Sequence, residues 1–177
     1  MKTMLIVALF ASCALAADQS TIAAAESACG PGNIKFDVNT ESNQQPAAMT
    51  HDGKALVYVV EVFEAPRNQL AKPTMKIGLD GTWVGANRSN SYFFVPVEPG
   101  HHHLCMAWQS RLKGYAKKVA LSSFSAEPGK TYYFKALVVE HDEGRGAWFT
   151  VDLEPVNNDE GKLLVASSAF STFRPKS

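Results

Sequence analysis

Residues 75–85 read MKIGLDGTWVG, two short runs of strand-forming residues hinged on Asp80-Gly81. A dipeptide of this kind tolerates positive φ at both turn positions, which is what a two-residue type I′ hairpin demands. The reading is therefore two antiparallel strands, Met75–Leu79 and Thr82–Gly85, and an all-β chain becomes the working expectation. The neighbouring sequence follows suit. Ala55–Glu64 (ALVYVVEVFE) is apolar on both alternating faces and rich in β-branched and aromatic residues, the pattern of a central strand covered on both sides. Downstream, Ser91–Val97, His101–Gln109, Lys118–Ala126, Lys130–Glu140 and Gly146–Glu154 are strand-like runs separated by Pro99-Gly100, Lys113-Gly114, Pro128-Gly129 and Gly144. Strands this short, at this spacing, predict an antiparallel β-sandwich of seven to nine strands over residues 55–155.

The flanks read differently. Residues 1–16 have the form of a secretory signal, with Lys2 before an apolar run from Met4 to Ala11 and a small-residue Ala14-Leu15-Ala16 site. An alternative is a lipid anchor at Cys13, preceded by Phe10-Ala11-Ser12. No later stretch reaches the ~20 apolar residues of a membrane-spanning helix, so no transmembrane segment is expected after signal removal. Residues 17–54 read as a flexible N-terminal segment with one short strand at Asn33–Val38. Residues 156–177 read as a C-terminal helix or tail: Asp159 and Glu160 come early, and Leu163, Leu164, Ala166, Ala169, Phe170 and Phe173 follow at roughly helical spacing.

Charge and composition exclude two classes. Seventeen Lys and Arg balance seventeen Asp and Glu, so no basic footprint for nucleic acid exists, and 46% hydrophobic residues leave enough for a core. Export removes Cys13 with the signal and leaves Cys29 and Cys105, an even pair in an oxidising compartment, for which a disulfide is the default.

Several motifs together resemble a bacterial family, the domain of unknown function 2846. They are Val57-Tyr58, Leu79-Asp80-Gly81-x-x-Val84-Gly85, Ser91-Tyr92-Phe93, Pro99-Gly100-His101-His102 and Gly129-x-x-Tyr132-Tyr133-Phe134. The resemblance spans about residues 55–140. It implies an exported, sandwich-like module similar to PEGA-type surface domains, and it carries no catalytic residues.

The remaining constellations compete with plainer readings. His101, His103 and Cys105 alternate onto one strand face, and with Cys29 they would make a tetrahedral Cys₂His₂ zinc set. The plainer reading is the disulfide with two exposed imidazoles. Arg111, Lys113, Lys117 and Lys118, with Tyr115 among them, form a basic loop suited to an anionic surface, or simply a solvated hairpin tip. Trp83, Tyr92 and Trp148 would make an aromatic platform for sugars if exposed, and Trp148 should lie on a wet face. His141-Asp142-Glu143 reads as a hairpin loop, and Asn87-Arg88-Ser89 is a glycosylation sequon. Neither G-x-S-x-G nor H-E-x-x-H occurs. The expectation is an exported, non-enzymatic module without cofactor, structural or binding in role. Its partner would be a cell-envelope protein or a polysaccharide, at the periplasm or cell surface. The alternatives are a metal-binding protein and a carbohydrate-binding module.

Overall fold

In a computed structural model, residues 27–42, 46, 53–65, 73–110, 115, 117–142, 144 and 146–176 are described. The signal, Cys13, Arg111 and Lys113 lie outside them. Ten strands are found among the described residues: β1 Phe36–Glu41, β2 Ala55–Glu64, β3 Thr74–Leu79, β4 Thr82–Arg88, β5 Ser91–Val97, β6 Gly100–Trp108, β7 Val119–Ala126, β8 Thr131–Asp142, β9 Ala147–Val156 and β10 Ala169–Pro175. One helix, α1, spans Asn158–Ala166. The strands form a six-stranded sheet ordered β1-β10-β5-β2-β8-β9 and a four-stranded sheet ordered β4-β3-β6-β7. This is the expected sandwich, and pairing is antiparallel except at β2–β8 and β10–β5. β4 approaches β1, β10 and β5, while β7 approaches β9, so the two sheets draw together along both sides.

Alternation decides what each strand buries. From β2, Val57 and Val59 enter the space between the sheets, where they meet Met75 and Ile77 of β3, Phe93 of β5, Leu104 and Met106 of β6, and Phe134, Ala136 and Val138 of β8. The opposite face of β2 is also covered, as its two-sided apolar pattern requires. There Tyr58 stacks on Tyr133, with ring centroids 5.1 Å apart, and touches Tyr92 and Phe94, while Phe170 packs on Tyr92 and Phe94. α1 lies over this layer and contacts β2 and β8.

The expected C-terminal helix forms but is short, and the apolar positions beyond it belong to a strand. Asn157 caps α1 by accepting the N–H groups of Asp159 and Glu160, each at 3.0 Å, and the helix ends at the Ser167 cap. Its buried residue is Gly161, where a Cβ would come within 2.2 Å of the Tyr133 ring, and Leu163 is 68% exposed. Residues after the cap run as β10, antiparallel to β1 and parallel to β5.

Residues 27–35 depart from the reading as flexible linker. This leg crosses the outer face of the four-stranded sheet and is tied at several points. Gly81 donates its N–H to the Ala28 carbonyl (3.1 Å), Trp83 Nε1 donates to the Pro31 carbonyl (2.8 Å), and Lys76 Nζ donates to the Ile34 carbonyl (2.9 Å). Gln109 then holds Phe36 twice, accepting its N–H at 2.7 Å and donating to its carbonyl at 2.8 Å. The leg can lie this close because Gly78 has no side chain: a Cβ there would sit 3.0 Å from the Ala28 carbonyl oxygen.

Candidate functional site

The chemistry-bearing side chains gather where the β3–β4 hairpin meets the start of β6. Asp80 (φ 49°) and Gly81 (φ 83°) are both in the left-handed region, as a type I′ turn needs. The Asp80 carboxylate turns back onto β6, accepting the His103 N–H at Oδ1 (2.8 Å) and facing His102 Nδ1 at Oδ2 (2.6 Å). The other ring nitrogen of His102 lies 2.7 Å from the Glu98 carbonyl oxygen. Both neighbours are acceptors, so His102 donates from both nitrogens and is an imidazolium. Burial alone pushes the His102 pKa down, but its bonds to Asp80 and Glu98 outweigh that and hold it above the ordinary 6.5. Asp80 is the complement: partial burial pushes its pKa up, and the bonds from His103 and His102 more than reverse the effect, leaving it below 3.8.

His101 and His103 point the other way, to the outer face, and both are exposed. Their ring centroids are 4.8 Å apart and their planes nearly perpendicular at 89°. Across the β6–β7 register His101 faces Ser125 and His103 faces Ser123, with Ser125 Oγ 3.5 Å from His101 Nδ1. Two residues on, Cys105 shares their side of the strand but is wholly buried, because the leg covers it and Cys29 is bonded to it with a Cα separation of 5.2 Å. The Cys₂His₂ alternative is corrected here: both sulfurs are consumed in the disulfide, and Cys105 is sealed away from the solvent that surrounds His101 and His103. Among the described residues no three His, Cys, Asp or Glu side chains are placed to share a metal ion.

The other expected surfaces are dispersed. Tyr115 is half-buried at the core margin, stacked on Trp108 at 5.1 Å and edge-on to Phe149 at 5.3 Å. Tyr92 is 2% exposed, and Trp83 is held beneath the Lys76 ammonium, 3.9 Å from its centroid. Trp148 is 44% exposed, as alternation predicts, with the His141 ring stacked at 3.8 Å. Trp83 sits on β4 of the four-stranded sheet, while Tyr92 and Trp148 sit on β5 and β9 of the six-stranded sheet with β2 and β8 between them, so the three form no common platform. The sequon is likewise unusable in the folded chain, since Asn87 is fully buried and its amide donates to the Val59 carbonyl. An open groove of about 520 Å³ runs beside β7, lined by Phe124, Tyr132, Ser123, Ser125 and Asn157 among others.

Buried acids escaped the sequence reading. Glu61 is fully buried, accepts the Ser89 N–H at 2.9 Å, and has its second oxygen without a partner. Desolvation raises its pKa to about 8 against the opposing bonds from Ser89 and Met75. Glu140 is 4% exposed with neither carboxyl oxygen partnered. The signal was present for Glu61: it shares the odd positions of β2 with Val57 and Val59, which face the core.

No family model, curated protein or solved structure matches the chain. No helix among the described residues is long and apolar enough to cross a membrane.

Proposed function

We propose that the chain is an exported, non-catalytic module of the cell envelope, a structural or binding domain at the periplasm or cell surface. The observation that carries this reading is the Cys29–Cys105 staple, which clamps the N-terminal leg across a sheet face and suits an oxidising compartment. The signal-like residues 1–16 and the order of the motifs that resemble the domain of unknown function 2846 family are the sequence features in its favour. The polar groups of the hairpin region favour a scaffold as well: His102 and Asp80 spend their bonding capacity on fixing β3–β4 against β6.

A polysaccharide partner is favoured over a protein by the open groove beside β7, whose lining combines aromatic residues, Phe124, Tyr132 and Tyr133, with polar ones, Ser123, Thr131 and Asn157. Crosslinking in the native envelope, followed by affinity recovery and intact-mass measurement, tests both parts. The expected result is a mature chain beginning at Ala17 and attached to an envelope glycan. Recovery of a chain that keeps residues 1–16 in the cytosol overturns export, and recovery of a defined protein without glycan overturns the choice of partner.

A further inference from the structure

We infer that His101 and His103 form a two-imidazole chelate for a divalent late transition-metal ion, with copper(II) bound most strongly. The two residues are exposed, stand at i and i+2 on one face of β6, and hold their ring centroids 4.8 Å apart. When two imidazoles bind one ion through nitrogens about 2.0–2.1 Å from it, their centroids fall about 4.5–5.2 Å apart for bite angles between a right angle and the tetrahedral value. The observed spacing lies inside that range before any ion is present. The present edge-to-face arrangement converts to a convergent one by rotation about χ2, a broad and shallow torsion for histidine.

The strand holds this spacing. Both histidines lie in the stretch of β6 paired with β7, and His103 is further fixed by its N–H bond to the Asp80 carboxylate and by its carbonyl, which accepts the Asp80 N–H, so the two Cα atoms cannot drift apart. His102 does not compete, because both of its nitrogens are committed to Asp80 and the Glu98 carbonyl. Cys105 does not compete either, being disulfide-bonded and buried. Water fills the remaining coordination positions. A pair of imidazoles with open positions selects among divalent ions by the general stability order, in which copper(II) stands highest.

The test uses the tag-free mature chain from Ala17 with its disulfide intact, which carries no free thiol, titrated with copper(II) chloride and followed by calorimetry and electron paramagnetic resonance. One equivalent should bind with two nitrogens in the copper hyperfine pattern. His101→Asn and His103→Asn should each weaken binding by at least about tenfold, because either change removes the chelate, and the double variant, left with neither imidazole, should lose the one-equivalent site altogether. Substitution of His141 or His51 should change nothing. In the unaltered protein, substoichiometric copper(II) should broaden the His101 and His103 ring-proton resonances first, a readout that needs no variant to fold. Stoichiometric binding that survives the double substitution, a spectrum with a single nitrogen, or first broadening at another histidine would each overturn the site.

Discussion

Gly81 answers two stereochemical demands at once. Its φ of 83° is strained for any residue with a side chain, and a Cβ there would also approach the Ser27 carbonyl to 2.9 Å. Turn and leg therefore constrain the same atom. Gly81→Val is expected to destabilise the domain by roughly 1–3 kcal/mol, read as a lowered denaturation midpoint. A midpoint equal to the parent would mean that neither constraint operates. The neighbouring Asp80 serves a different purpose: its carboxylate supplies the acceptors that a bare turn would leave to water, and Asp80→Ala leaves the His102 ring without its charged partner. That variant should lose stability mainly at pH values where His102 is protonated. Equal loss at pH 5.5 and pH 9 would show the ion pair to be incidental.

At the scale of elements, the strands were legible where the residues themselves set the pattern. Residues 55–64 and 91–97 emerge as read, and the Asp80-Gly81 hairpin stands where the dipeptide placed it. β10 was not legible, because Phe170 and Phe173 stand three apart, a spacing that suits a helix. What makes the segment a strand is non-local: β1 and β5 offer open backbone edges, and Phe173 packs edge-on against Phe36 and Phe93. The leg was illegible for the same reason, since the bonds that tie it to the sheet reach residues more than forty positions away. The disulfide, by contrast, followed from counting cysteines. Closing a loop with a sequence separation of 76 implies about 4 kcal/mol of stabilisation on the chain-entropy account. Cys29→Ser should therefore lower the melting temperature of the oxidised protein markedly and bring it level with the reduced parent. Equal melting of oxidised parent and variant would show that the other leg contacts alone hold the segment in place.

For the whole molecule, the two groups with the clearest upward shifts act in the same direction. Glu61 has a folded pKa of about 8 against an ordinary 4.5, and His102 sits above its ordinary 6.5. A group whose folded pKa is raised contributes stability that is fully present below its unfolded value and lost as pH climbs through the folded value. Glu61 therefore withdraws its contribution across pH 4.5 to about 8, where its carboxyl ionises in the unfolded chain while the buried one stays protonated, and His102 withdraws its share above 6.5. Asp80, shifted below 3.8, acts oppositely and only at the acid end, where its contribution is lost as pH falls. The stability curve should accordingly peak in mildly acidic solution and decline on the alkaline side, with the melting temperature falling by roughly 5 °C or more between pH 6 and pH 9. Glu61→Gln isolates the larger contributor. The amide keeps an oxygen for the Ser89 N–H but cannot ionise, so the variant should melt near the parent at pH 6, melt above it at pH 9, and show a shallower slope between. Parallel curves for parent and variant would mean that Glu61 is ionised alike in the folded and unfolded chain across this range, its folded pKa not being raised. The alkaline decline would then belong to His102, whose removal by His102→Gln should flatten it instead.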